Sequence, residues 1–172
     1  SVPNMIGSCF GAAGQRCLAG SLILPVGAAH DRVTGRVAES ARKLRVGDGL
    51  DAGVNMGPVI SSRARERILG AIDLGLKEGA DLVLDGRNVK VPARPKGYFV
   101  GPTLFDQVAP GMKLARDEIF GPLVSVIPVA ALEEAIEFIN RSPYGNAASI
   151  YTKSGPAARE FRCRYQTPRA SR

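Results

Sequence analysis

A cysteine thiolate is an intrinsically strong nucleophile, and this chain has three cysteines: Cys9, Cys17 and Cys163. Cys17 ends the run Phe10-Gly11-Ala12-Ala13-Gly14-Gln15-Arg16-Cys17, which is mostly small residues with two glycines. Glycine lets a backbone turn tightly and lets a ligand come close to it. A cysteine at the end of such a turn can offer a substrate both its thiol and its own N–H. Arg16 is a candidate cation for favouring the thiolate, although adjacent side chains often diverge. The plainer reading is a buried, inert cysteine in a packing turn, since free Cys is among the most buried residues.

A second stretch, Asp117-Glu118-Ile119-Phe120-Gly121-Pro122, sets an acid and an aromatic before a Gly-Pro turn. A carboxylate can accept two hydrogen bonds from a sugar diol. An aromatic ring can pack beside a flat heterocycle. The plainer reading is a turn between two elements with Glu118 in solvent. Cys9 reads as packing, and Cys163 carries no inference. His30, the one histidine, stands at a helix start and reads as a surface residue rather than a ligand. With no CxxC and one histidine, no metal site is expected. An odd number of cysteines at irregular spacing is no disulfide framework, so reduced thiols and a cytoplasmic setting are expected.

The elements that must hold these stretches follow from periodicity. Leu22 to Val26 reads as a buried strand. Val33, Val37, Ala41 and Leu44 share one face of a helix from about Ala29 to Leu44. Gly47 to Pro58 reads as a loop. Ser61 or Ser62 caps a second helix to about Glu78, buried through Ala64, Ile68, Ile72 and Leu76 and stopped at Gly79. Asp81 to Leu84 is a strand entering the turn at Asp85-Gly86, and Val91 to Lys96 is a surface excursion. Tyr98 to Leu104 is extended, with Pro102 marking an edge or a strand end. Val124 to Val129 is a strand, and Leu132, Ala135, Ile136 and Ile139 mark a helix ending before Pro143. Ala148 to Tyr151 is a short strand, and Pro156 suits the first turn of a last helix. Strands alternating with helices predict an α/β fold, a sheet with helices on its faces.

The 172 residues suffice for one domain, and 45% hydrophobic with 23% charged residues is ordinary globular composition. No apolar run could span a bilayer, so no membrane partner is expected. Ser1 to Ser8 lacks the pattern of a signal peptide, and without an initiator Met the chain is expected to begin inside a longer protein. Four of the seven excess positive charges, Arg162, Arg164, Arg169 and Arg172, lie in the last eleven residues. No basic stripe interleaved with aromatics is present, which argues against a nucleic-acid partner.

Phe10 to Cys17 resembles the active-site cysteine motif of the aldehyde dehydrogenase superfamily. Glu118-Ile119-Phe120-Gly121-Pro122 resembles its second hallmark, at the expected distance. Gly57-Pro58, Lys77-Glu78-Gly79-Ala80, Gly97-Tyr98-Phe99-Val100-Gly101-Pro102-Thr103 and Pro143-Tyr144-Gly145 are similar to further landmarks. The ordered set covers roughly Asn4 to Phe161. The resemblance implies the catalytic domain of that fold over residues 1–161, in part, followed by an atypical Arg-rich tail over 162–172. It implies Cys17 as the nucleophile that attacks an aldehyde, with its N–H in an oxyanion hole. It implies Glu118 on the hydroxyls of the nicotinamide ribose of NAD or NADP, and Phe120 near that end of the cofactor.

Within the family, Phe10 to Cys17, Asp85-Gly86-Arg87 and Gly97 to Thr103 look most like the CoA-acylating methylmalonate-semialdehyde dehydrogenase branch. There the arginine before the cysteine is associated with the substrate carboxylate, which its planar fork matches. Arg16 is therefore the specificity candidate, with coenzyme A taking the acyl group. Gly-Gln-Arg-Cys also occurs in other branches, including the aminoadipic-semialdehyde group. A branch ending in hydrolysis and an inactive scaffold therefore stay open. No Gly-rich phosphate loop appears. The family's oxyanion-hole asparagine and hydrolytic glutamate have no counterpart here, and the end departs from the family's dimer-building segment. The expectations are a truncated or frameshifted end, no useful aldehyde oxidation by this chain alone, and self-association. The longer parent is expected to be a homo-oligomer, a dimer or tetramer.

Overall fold

The computed structural model describes residues 1–166. The fold is α/β, with a mixed four-stranded sheet in the order β1-β4-β3-β2. These strands are β1 (Leu22–Ile23), β2 (Asp81–Leu84), β3 (Thr103–Asp106) and β4 (Leu123–Val126). β1, β4 and β3 run parallel, and β2 pairs antiparallel with β3. Leu22 lies opposite Ser125, and Thr103 opposite Leu123. β4 has a neighbour on each side and is buried at every position. Its one polar residue, Ser125, donates from Oγ to the carbonyl of Leu114 at 3.4 Å, so its hydroxyl is not buried without a partner.

The helices are α1 (Val2–Phe10), α2 (His30–Arg42), α3 (Ser62–Lys77), α4 (Lys113–Arg116), α5 (Leu132–Arg141) and α6 (Gly155–Arg164). Several follow the sequence expectations closely. Ser61 is the cap of α3: its Oγ accepts from the N–H of Ala64 at 3.1 Å. Gly79 follows α3 at φ 90°, a left-handed position that favours glycine. Pro156 lies in the first turn of α6.

Other expectations are corrected. Val2, Met5, Ile6, Cys9 and Phe10 form an apolar stripe at helical spacing, and Pro3 falls in the first turn. The chain therefore opens with α1, an element earlier than the strand at Leu22 from which the expected elements begin. On α3 the fourth buried position is Gly75, and Leu76 is 41% exposed. A Cβ on Gly75 would come 2.4 Å from Leu114 Cδ1 and 3.0 Å from Phe105 Cζ. That close packing selects the glycine and turns Leu76 outward. Pro102 marks a strand end, not an edge, because β3 lies between β4 and β2. Ala148 to Tyr151 forms no strand among the described residues.

α6 carries Arg162 and Arg164, so a helix crosses the expected boundary at residue 161. Arg169 and Arg172 lie outside the described residues. No helix among the described residues is long and apolar enough to cross a membrane.

Candidate active site

Three parallel strands set the geometry of the site. The Cys17 run enters β1, Gly97 to Pro102 enters β3, and Glu118 to Pro122 enters β4. Because these strands are parallel, all three stretches arrive at the same end of the sheet. The N–H of Thr103 bonds the carbonyl of Pro122 at 2.8 Å, and that of Ser125 bonds Ser21 at 2.9 Å.

The Cys17 run and the Glu118 segment touch through their backbones. Gly14 has φ 67°, and a Cβ built on it would lie 2.2 Å from the carbonyl oxygen of Gly121. Only glycine fits that approach. Both segments also hold non-glycine residues in the left-handed region: Ala12 at φ 52°, Ala13 at φ 54° and Phe120 at φ 52°. Among the described residues only Gln107 shares this state, so three of four instances fall in these two segments. Such strain clusters at functional sites, where surrounding structure enforces it.

That enforcement is visible. Gln15 Oε1 accepts from the N–H of Ile60 at 2.9 Å, tying the run to the segment that leads into α3. Gly20 N–H lies 3.2 Å from Ser8 Oγ, closing the far side of the turn onto α1. From α3, Arg67 donates to the carbonyls of Ile119 and, at 3.4 Å, of Phe120. Asn146, just past Pro143-Tyr144-Gly145, donates from Nδ2 to the carbonyl of Cys17 at 2.9 Å.

The structure separates the cysteines by environment. Cys17 is exposed, Cys163 is exposed and Cys9 is buried. Burial pushes the Cys9 thiol up to about 12, with the Arg16 guanidinium opposing this only in part. Cys9 is therefore a packing residue, as its sequence context suggested. Arg16 turns back onto α1, where its Nη2 donates to the carbonyls of Gly7 at 2.8 Å and Ser8 at 3.0 Å. These belong to the last turn of α1, where carbonyls lack helical partners and a cation is favoured. Glu118 is exposed, and no side-chain hydrogen bond or ion pair occupies its carboxylate among the described residues. Phe120 is half-buried.

His30 is better connected than a free surface residue. Its Nε2 lies 2.8 Å from Asp106 Oδ1, and its Nδ1 lies 2.9 Å from Asp31 Oδ1. The hydrogen bond to Asp106 is the main cause of its raised pKa, against some desolvation.

Asn146, Gln15 and Arg67 were not singled out for a role from sequence. Asn146 follows a family landmark, and Gln15 sits inside one. Arg67 gave no signal, because a charge on an exposed helix face reads as solvated. Two surface grooves, of about 660 and 820 Å³, lie elsewhere, and neither is lined by Cys17, Arg16, Glu118 or Phe120.

Comparisons with known proteins place the chain in a family. The profile described as Aldehyde dehydrogenase family matches residues 1–168. Malonate-semialdehyde dehydrogenase 3 of Geobacillus kaustophilus is 48% identical over 94% of this chain and 33% of its own length. A probable methylmalonate-semialdehyde/malonate-semialdehyde dehydrogenase [acylating], mitochondrial, of Anopheles gambiae is 48% identical over 92% of this chain and 30% of its own. In structure, a putative methylmalonate-semialdehyde dehydrogenase from Sinorhizobium meliloti 1021, complexed with NAD, superposes with a TM-score of 0.93. It is 40% identical and covers 95% of this chain, which covers 34% of it. The chain thus spans about a third of the length of these relatives. It belongs to the aldehyde dehydrogenase family.

Proposed function

We propose that this chain is the thiol-bearing part of an NAD-dependent dehydrogenase that oxidises a carboxylated semialdehyde, malonate or methylmalonate semialdehyde, and passes the acyl group to coenzyme A. The observation that carries the reading is the exposed Cys17 on a strained turn held against the Glu118 segment. The similarity to malonate- and methylmalonate-semialdehyde dehydrogenases supports the substrate class.

The chemistry begins with the Cys17 thiolate, which adds to the aldehyde carbon and gives a thiohemiacetal. The Cys17 N–H donates to the oxygen on which charge develops. Arg16 binds the α1 carbonyls through Nη2, which leaves Nε and Nη1 as single donors for the substrate carboxylate. Loss of hydride from the thiohemiacetal carbon leaves a thioester on Cys17. The thiolate of coenzyme A then attacks the thioester carbonyl, the acyl group leaves as the coenzyme A thioester, and Cys17 returns as a thiolate.

The free carboxylate of Glu118 and the half-exposed ring of Phe120 suit the nicotinamide-ribose end of NAD. Bound there, the cofactor supplies the hydride acceptor. A second domain would bind its phosphates and adenosine. On this reading the chain alone does not oxidise aldehydes, and the whole enzyme is a dimer or tetramer. Reduced thiols suit a cytoplasmic setting.

The test joins this chain behind the cofactor-binding portion of a relative and supplies malonate semialdehyde, NAD and coenzyme A. The expected product is a coenzyme A thioester, lost on Cys17→Ser. Free acid formed without consuming coenzyme A would favour a hydrolytic branch instead.

A further inference from the structure

Asn146 lies 129 residues after Cys17, yet its Nδ2 donates to the Cys17 carbonyl oxygen at 2.9 Å. It belongs to the loop between α5 and α6, whereas other parts of the thiol turn are held by α1, by Ile60 just before α3 and by the close contact of Gly14 with Gly121. It therefore adds a hold from a separate element, directly on Cys17 itself. The bond also acts on the nucleophile's own residue. An unpartnered carbonyl presents its negative end to a neighbouring thiolate, and a donor on that oxygen reduces its local charge. Holding the carbonyl also fixes the peptide plane on the C-terminal side of Cys17, and so the direction of its Cα–Cβ bond.

We propose that Asn146 is a positioning residue for the Cys17 nucleophile, orienting it through its carbonyl without touching substrate. The proposal rests on the reading of Cys17 as the nucleophile. Asparagine is suited to the task because its amide donates without adding charge. A leucine of similar size would fill the space but could not donate. An aspartate of the same shape would turn an acceptor and a negative charge toward both the carbonyl and the thiolate.

The test uses the full 172-residue chain and two readouts. Cys17-Leu18 is the only Cys-Leu pair, so carbonyl-labelled cysteine with nitrogen-labelled leucine gives a single NMR cross-peak reporting the Cys17 carbonyl. Iodoacetamide labelling is then followed on Cys17, with exposed Cys163 as the control in the same molecule. The expected result is a shift of the carbonyl signal in Asn146→Leu and a fall of at least fivefold in the ratio of Cys17 to Cys163 labelling. Asn146→Asp should lower the ratio further, and Asn146→Gln, which keeps the amide donor, should recover most of it. Ratios within twofold of the parent in both the Leu and Asp variants, with Cys17 still labelled faster than Cys163 in the parent, would overturn the role of Asn146 alone. Parent Cys17 labelled no faster than Cys163 would overturn the nucleophile reading and this proposal together.

Discussion

Gly14 and Gly121 meet backbone to backbone, so closely that a Cβ on Gly14 would stand 2.2 Å from the Gly121 carbonyl oxygen. The contact joins two segments more than a hundred residues apart in sequence. One carries Cys17, and the other carries Glu118 and Phe120. Their spacing is fixed at this point, because nothing larger than hydrogen fits between them.

Gly14→Ala should therefore cost about 2–3 kcal/mol, from the clash and the positive φ together. Gly7→Ala is the control. Gly7 is an exposed α1 position with nothing within 4 Å of a built Cβ, and alanine there should stabilise by about 0.5–1 kcal/mol. Urea unfolding midpoints read both changes. Equal effects would contradict the close contact.

Arg16 should prove structural. Arg16→Ala removes two hydrogen bonds to the end of α1 and should cost about 1 kcal/mol of stability. Arg16→Lys should recover part of this, since one ammonium keeps the charge near those carbonyls. An unchanged unfolding midpoint in Arg16→Ala would mean that the guanidinium is not docked on α1.

His30 gives the chain a pH-dependent clamp between α2 and β3. Its folded pKa is raised above 6.5, first by the hydrogen bond to Asp106 and then by the charges of Asp106 and Asp31. A raised value means that the folded state binds the proton more tightly. The stabilisation is fully present below about pH 6.5 and is lost as pH rises through the folded value. His30→Gln should thus cost up to about 1 kcal/mol at pH 5.5 and much less at pH 9. Equal losses at both pH values would contradict the ion pair.

The chain should self-associate. Leu50 is 94% exposed and Ile60 is 82% exposed, and β1 and β2 are the edge strands of the sheet. Light scattering should show an apparent mass that rises with concentration and falls back in Ile60→Ser. A monomer at every concentration would contradict this.

Much of this fold was legible in the sequence where local signals act alone. Ser61 caps α3 by a bond within one turn, and Ile68 and Ile72 are buried as their spacing required. Leu76 was not legible, because Gly75 is chosen by Phe105 and Leu114 from other elements. α1 was legible in its stripe of Val2, Met5, Ile6, Cys9 and Phe10, but the expected elements begin only at Leu22. Ala148 to Tyr151 has a strand's composition, yet a strand exists only where a ladder partner does.

The site was legible as motifs and not as geometry. The two hallmarks named Cys17, Glu118 and Phe120. That their stretches meet at the N-terminal ends of parallel strands depends on the order β1-β4-β3, which no local pattern carries. Open α/β sheets more often bind ligands at the opposite ends of their strands. A tight turn is expected of the glycines, whereas Ala12 and Ala13 share the left-handed region with Gly14. Asn146 and Arg67 act by long-range bonds to backbone carbonyls, which leave no sequence pattern.

The central claim is that Cys17 is the nucleophile, and site-resolved thiol labelling tests it most directly. The purified chain is treated with iodoacetamide near pH 8, and each cysteine is followed by mass spectrometry. Cys17 should be modified fastest and Cys163 more slowly. Cys9 should stay protected, because burial holds its thiol near about 12. Labelling of Cys17 at or below the rate of Cys163 would contradict the account, since the turn would then hold an ordinary exposed thiol.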